Sequence, residues 1–176
     1  MKTKPQNNDL GGSVPFSVKL KYFLFKHYWW MLGVLIVSVS FLLWINGASI
    51  QVALPPIATL LSLVYFIQKQ KLEELRFSRE IFKSCNEAYN KLNEELAKIN
   101  NIRSSDQLNE NEKKVLVDYF NLCGEEYFYF HHGFIYPDVW EAWRNGIRFY
   151  LRNDRIKRFW VEELETNSYY GMPRDL

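Results

Sequence analysis

"YWWMLGVLIVSVSFLLWI", residues 28–45, is an eighteen-residue stretch that carries no charge and is almost wholly apolar. A helix rises about 1.5 Å per residue, so this stretch would extend over about 27 Å, close to the thickness of a hydrocarbon core. Tryptophans lie at both of its ends, where amphipathic rings favour a membrane interface. We therefore predict a membrane-spanning helix here.

The uncharged region continues beyond this helix, since no Asp, Glu, Lys or Arg occurs from His27 to Gln68. After a turn at "NGAS" comes "IQVALPPIATLLSLVYFIQ", residues 50–68, and we predict a second, weaker span at about 50–67. Because proline is tolerated in a first helical turn, the regular helix should begin near Pro55 and Pro56. A cleaved signal peptide is disfavoured, because no small-residue cleavage site follows the first span and another apolar stretch does.

The flanking charges predict the orientation. Basic residues precede the first span and follow the second, and the turn between the spans is uncharged: Lys19, Lys21, Lys26, Lys69, Lys71, Arg76 and Arg79. The positive-inside rule then places both termini of a two-pass protein in the cytoplasm. The predicted organisation is a flexible tail (1–18), a membrane hairpin (19–68) and a cytosolic helical domain (69–176), all of the all-α class.

The cytosolic domain should begin with a helix that continues the second span. Residues 69–99 lack Gly and Pro, and their apolar positions recur every three or four residues: Leu75, Ser78, Phe82, Cys85, Tyr89, Leu92, Leu96 and Ile99. This seam would pack either on the chain's own core or on a second copy of the chain. We favour packing within the chain and also expect a homo-oligomer.

Three shorter helices are predicted from their boundary residues. Asn109 followed by Glu112 resembles a capping box, Gly133 should end that helix near His131, and Pro137 suits a first helical turn. Asn153 or Asp154 should cap the last helix. The expected inward residues of the last two helices are Trp140, Trp143, Ile147, Leu151, Ile156, Phe159, Trp160 and Leu164, and Cys85 and Cys123 should be reduced core residues.

Patterns typical of catalysis or metal binding are missing from the sequence. His131 and His132 are adjacent, so on a helix their side chains point about 100° apart and cannot chelate one ion together. Glu125 and Glu126 diverge for the same reason, and we expect them either at the surface or paired with an arginine. No nucleophile elbow, phosphate-binding loop or dinucleotide fingerprint is present. We predict no enzymatic activity, no cofactor and no metal site.

"RNGIRFYLRNDRIKRFW", residues 144–160, carries six basic residues and one acid. Guanidinium groups bind phosphate through paired hydrogen bonds, and a helix N-terminus adds partial positive charge. Four nearby rings could stack on a base: Phe149, Tyr150, Phe159 and Trp160. The predicted anion site comprises Arg144, Arg148, Arg152, Arg155, Lys157, Arg158 and Trp160. Alternatively, the arginines pack their stems over the core and pair with acids such as Glu141, Glu162 or Glu163.

"YFNLCGEEYFYFHHGFIYPDVWEAWRNGIRFYL", residues 119–151, resembles the helical core of uncharacterised bacterial families of short membrane-anchored proteins. The whole architecture is similar to that of membrane accessory effectors of antiphage systems, including CRISPR-associated ones that sense cyclic oligoadenylate. This resemblance implies a sensor that lies in a bacterial inner membrane, binds a nucleotide or cyclic oligonucleotide and acts at the bilayer. Separately, we expect no duplex DNA as a partner. The alternative is a non-enzymatic adaptor that binds a protein partner through its aromatic helices.

Overall fold

The computed structural model describes residues 15–47, 49–102 and 107–174, and the residues described there form helices and no strands. The predicted all-α class is therefore confirmed. The helices are α1 (Phe16–Ile45), α2 (Ile50–Asn101), α3 (Glu110–His131), α4 (Pro137–Tyr150) and α5 (Asp154–Leu164). Residues 1–14 of the predicted tail (1–18) lie outside the described residues. Helix α1 begins at Phe16, within the stretch predicted as tail.

The chain divides into two compact units, and the boundary between them lies within α2. The N-terminal unit, Phe16–Phe77, contains α1 and the first part of α2, and the C-terminal unit runs from Ser78 onward. In the N-terminal unit, Lys21 Nζ lies 2.9 Å from a carboxylate oxygen of Glu74, and Lys71 Nζ lies 5.9 Å from the centre of the Tyr28 ring. These pairs place α1 and the first part of α2 side by side and antiparallel.

Of the two predicted membrane spans, the structure supports the first. Val18–Ile45 is the candidate span found among the described residues, and 11 % of its most apolar window is buried. An apolar helix of this kind near an N-terminus has the character of a membrane anchor or of a signal sequence. The second predicted span includes Ile50 and Ala53, whose side chains lie outside the described residues, and the pair of spans is not shown.

The prolines of α2 lie inside the helix rather than at its start. The helix begins at Ile50, so Pro55 and Pro56 fall in its second turn, where each lacks the N–H that would donate to a carbonyl four residues earlier. The Thr59 hydroxyl donates to the Pro55 carbonyl oxygen at 2.9 Å. The predicted helix start was therefore about one turn too late.

In the C-terminal unit, α3 contacts both α4 and α5, and the second part of α2 completes a single core. Ile81, Cys85, Leu96 and Ile99 of α2 are buried in this core, which confirms packing within the chain. The seam differs from the predicted one at Leu75 and Phe82, which are exposed, and at Ile81, which is buried although it was not predicted to be. Phe82 is 45 % exposed. Its ring stacks on that of Trp143, with centroids 5.9 Å apart and planes 9° from parallel.

Boundary residues act as predicted at α3, α4 and α5. The Asn109 side chain accepts a hydrogen bond from the Glu112 N–H, and the Glu112 carboxylate accepts one from the Asn109 N–H, forming a capping box. Gly133 follows α3 with a φ of +73°, which favours glycine. Pro137 opens α4, and Asn153 caps α5.

Aromatic rings dominate the core between these helices. Phe120 meets Trp160 edge to face at 4.7 Å, and Phe130 stacks on Trp140 at 5.2 Å. Such pairs stabilise a core beyond the area that they bury. Cys85 and Cys123 are buried and free, as predicted. Burial raises the pKa of the Cys85 thiol to about 12, so this thiol stays protonated and unreactive near neutral pH.

Candidate anion-binding groove

A groove of about 1290 Å³ lies where the end of α2 meets the first turns of α5. Four cationic and two acidic side chains line it, together with two apolar side chains and three asparagines. These residues, which define the cationic groove, are Asn100, Asn101, Phe149, Arg152, Asn153, Asp154, Arg155, Lys157, Arg158, Val161 and Glu162. The structure thus brings four of the seven predicted site residues onto one surface.

Asn153 builds the junction between α5 and α2. Its Oδ1 accepts a hydrogen bond from the Arg155 N–H at 3.0 Å, which caps α5. Its Nδ2 donates to the carbonyl oxygens of Asn100 and Ile102, each at 3.1 Å. The last carbonyls of a helix have no partner within that helix. The Asn153 amide group therefore provides hydrogen bonds both at the start of α5 and at the end of α2. The cap was predicted, but its bonds to α2 were not.

Arg155, which lines the groove, links α5 to the start of α3 through side-chain hydrogen bonds. The residue is only 5 % exposed, and Nη2 donates to Glu112 Oε2 at 2.8 Å and to the Gln107 carbonyl oxygen at 3.4 Å. The same Glu112 oxygen completes the capping box with Asn109. Removing one partner of a buried ion pair leaves an uncompensated charge, so Arg155 is first of all a structural residue.

Arg152, Lys157 and Arg158 are the exposed cations of the groove. None of the three forms an ion pair with any residue that the structure describes. Arg158 Nε donates to the Asp154 carbonyl oxygen at 3.3 Å, which steadies the side chain without neutralising its charge. The first turn of α5 adds the partial positive charge of a helix N-terminus. These groups together favour an anion over a cation.

The groove also offers an apolar surface beside its cations. Phe149 and Val161 line it and are exposed. An exposed ring next to arginines can stack on a planar base or another flat group. Asp154 and Glu162 lie in the same lining and can accept hydrogen bonds from hydroxyl or amine groups. The lining therefore suits a ligand that carries phosphate and a planar polar group.

Arg144 was predicted to bind the ligand, but it does not reach this groove. The structure instead supports the alternative, in which this arginine pairs with an acid. It is 6 % exposed, and Nη2 donates to Glu141 Oε2 at 2.7 Å. The physical reason is its position on α4, since it lies four residues after Trp140 and three before Ile147, both of which are buried. The prediction had assigned the inward position to Trp143, which is only partly buried.

Trp160 and Arg148 also lie off the groove. Trp160 is 1 % exposed and belongs to the core, because it falls between Ile156 and Leu164 on the buried face of α5. Its ring is therefore closed to a ligand. Arg148 lies earlier on α4, and its side chain is 3.5 Å from Asn145 Oδ1, at the limit of a hydrogen bond. Neither residue is kept in the candidate site.

Glu126 was expected at the surface or paired with an arginine and is instead buried, with 7 % of the residue exposed. It shares a face of α3 with Cys123 and Phe130, which explains its burial. Among the residues that the structure describes, it forms no ion pair. Burial, reinforced by the negative charge of Glu125, raises the pKa of Glu126 to about 8. This carboxyl group is therefore mostly protonated at neutral pH.

Within residues 15–47, 49–102 and 107–174, no three His, Cys, Asp or Glu residues are grouped so that they could hold a metal ion. Comparison of the chain with protein-family models, with curated proteins and with solved structures gives no match. The interpretation of the groove therefore depends on its own residues and their chemistry.

Proposed function

We propose that this protein is a membrane-anchored sensor whose C-terminal unit binds a phosphate-bearing ligand in the cationic groove. The observation that carries the proposal is the convergence of Arg152, Lys157 and Arg158 on one groove without ion-pair partners among the described residues. Most surface cations are solvated singly or paired along a helix, as Lys98 is with Glu94 and Glu95. Three unpaired cations around a concave surface instead favour a multivalent anion.

The membrane part of the proposal includes the second span. In α2, large apolar side chains before residue 68 are exposed although no charged residue occurs among them: Val52, Leu54, Ile57, Leu61, Leu63, Tyr65 and Phe66. Exposed apolar surface on this scale suits lipid better than water. With α1 and this part of α2 both crossing a bacterial inner membrane, both termini would lie in the cytoplasm.

A nucleotide is the ligand class that we propose. Phe149 offers a face to a base, Arg152 and Arg158 offer guanidinium groups to phosphates, and Asp154 can accept a hydrogen bond from a sugar hydroxyl. The architectural similarity to antiphage membrane effectors makes a cyclic oligoadenylate one member of this class to test first. Ligand binding would then be signalled at the membrane, and we propose no catalytic step.

The alternative of an adaptor that binds a protein through its aromatic helices has less support. The largest rings of α3, α4 and α5 are buried in the chain's own core, among them Phe120, Phe130, Trp140 and Trp160. A hot spot on a protein interface needs accessible aromatic or arginine side chains. Of the other rings on those helices, Phe149 is exposed and lies in the groove. Phe128, Tyr129 and Trp143 are partly buried and contact neighbouring rings.

Titration of the full-length protein in detergent with a cyclic oligoadenylate, ATP and inorganic triphosphate tests the proposal. Charged hydrogen bonds contribute about 1.5–3 kcal/mol each, so the double variant Lys157→Gln/Arg158→Gln should bind at least about tenfold more weakly. Arg148→Gln removes a nearby charge outside the groove and should bind like the wild type. The proposal fails if none of the three anions binds the wild type, or if the double variant keeps wild-type affinity.

A further inference from the structure

The charges of the N-terminal unit are confined to two short segments. Every Lys, Arg, Asp and Glu of Phe16–Phe77 lies within residues 19–26 or 69–76, and the stretch between those segments has none. The ion pair between Lys21 and Glu74 and the contact between Lys71 and Tyr28 bring the segments together at one end of the antiparallel helices. The structure thus gathers charges from distant parts of the sequence into one band.

This band is basic once its ion pairs are counted. Glu73 and Glu74 are the acids of the N-terminal unit, and they pair with Arg76 at 3.3 Å and with Lys21 at 2.9 Å. The remaining cations are Lys19, Lys26, Lys69 and Lys71, which are exposed and pair with no described carboxylate. We call these four lysines the basic collar.

Exposed apolar and aromatic surface begins directly beside the collar. Trp29 and Trp30 follow Lys26 on α1 and are both exposed, as are Phe66 and Tyr65 just before Lys69 on α2. Indole and phenol rings favour the headgroup region, and lysine stems can lie along apolar surface while their ammonium groups reach the headgroups. On α2 this order of apolar surface, rings and lysines matches the profile of one leaflet from its core to its surface. On α1 exposed apolar residues also lie among the lysines, as interfacial side chains do: Phe16, Leu20, Phe23 and Leu24.

We propose that the basic collar binds anionic phospholipid headgroups and selects them over zwitterionic ones. The ion pairs of Glu73 and Glu74 leave four positive charges uncompensated, and each lysine near an anionic surface increases binding by about fivefold. The proposal is independent of the cationic groove, because all four lysines belong to the N-terminal unit. A lipid surface is favoured over a soluble phosphate because the lysines adjoin exposed apolar side chains.

The test uses the full-length protein in liposomes that contain phosphatidylcholine with a minor fraction of phosphatidylglycerol. Energy transfer from the tryptophans to dansyl-labelled phosphatidylglycerol, compared with dansyl-labelled phosphatidylcholine, reports which lipid is enriched around the protein. The wild type should enrich phosphatidylglycerol at least about threefold at 0.1 M salt and lose most of this at about 1 M, where the Debye length is only about 3 Å. Soluble inositol hexakisphosphate should not displace the lipid.

Two four-site variants complete the design. Lys19, Lys26, Lys69 and Lys71 changed to Gln should abolish the enrichment, while the same four changed to Arg should retain it. The matched control changes Lys83, Lys91, Lys98 and Lys113 of the C-terminal unit to Gln, which alters net charge equally and should have no effect. Equal transfer to both lipids in the wild type overturns the proposal, as does loss of enrichment in the control. The glutamine variant could fail to insert into the liposomes, and two other results would then still refute the proposal. One is an enrichment of phosphatidylglycerol by the wild type that does not change with salt. The other is loss of that enrichment in the arginine variant.

Discussion

The two units of this protein differ in the exposure of their tryptophan side chains. In the N-terminal unit Trp29, Trp30 and Trp44 are exposed, whereas in the C-terminal unit Trp140 and Trp160 are fully buried. Both segments are rich in apolar residues, so composition alone does not separate them. The distribution of charge does, because charged residues alternate with apolar ones in α3, α4 and α5 and are missing from the middle of the N-terminal unit. The same residue types are therefore exposed in one unit and buried in the other.

A tryptophan substitution in each unit tests this contrast most severely. Trp160→Ala should lower the free energy of unfolding of the C-terminal unit by about 3–5 kcal/mol, because it removes a buried ring and leaves a cavity. Trp30 is 79 % exposed, and Trp30→Ala should leave that free energy unchanged. Thermal and denaturant unfolding followed by circular dichroism in detergent measures both. Equal destabilisation by the two variants would contradict the assigned roles.

Arginines offer a second contrast, within the groove itself. Arg155→Met should cost about 3 kcal/mol of stability, because it leaves Glu112 without its partner in a largely buried site. Arg158→Met should change stability by less than about 0.5 kcal/mol, since its side chain is exposed and makes no ion pair with a described residue. Denaturant melts measure both changes. A stable Arg155→Met protein would mean that the pair with Glu112 is dispensable.

Glu126 makes the stability of the C-terminal unit depend on pH. Its pKa is about 8 in the folded chain and about 4.5 when exposed, so between these values the folded state holds a proton that the unfolded state releases. Stability should therefore fall as pH rises from about 5 to about 8, and then level off. We expect a loss on the order of a few kcal/mol in the wild type, since each unit between the two pKa values corresponds to about 1.4 kcal/mol, and a clearly smaller loss in Glu126→Gln. Glu165→Gln, at an exposed position, should keep the wild-type slope in the same melts.

The smallest effect is expected at the shared cap of α2 and α5. Asn153→Ala removes the cap of α5 and both bonds to α2, and it should cost about 1–2 kcal/mol. Asn153→Asp keeps an acceptor for the Arg155 N–H but loses the donor to the Asn100 and Ile102 carbonyls. Hydrogen exchange at the end of α2 should therefore speed up in both variants, and exchange at the start of α5 only in Asn153→Ala. Unchanged exchange in α2 would refute the second half of this cap.

Sequence reasoning succeeded where a structural choice is local. The capping box of α3, the proline of α4 and the cap of α5 lie within a few residues of the helices that they begin. It failed for Arg144, which was expected to border the buried face and instead lies on it. For Trp160 the predicted burial is confirmed, and that burial removes the ring from the ligand site that was also predicted for it. It could not predict the bond from Arg155 to Glu112, since 43 residues separate them and only the packing of α5 on α3 brings them together.

Fusion of two reporters after Leu176, in separate bacterial strains, tests directly whether the groove lies in the cytoplasm behind a two-span anchor. A fluorescent protein that folds only in the cytoplasm should be bright, and alkaline phosphatase, which is active only in the periplasm, should be silent in the membrane fraction. Strong phosphatase activity there would place the C-terminal unit across the membrane after α1 alone. That result would contradict the second span and the cytoplasmic groove together.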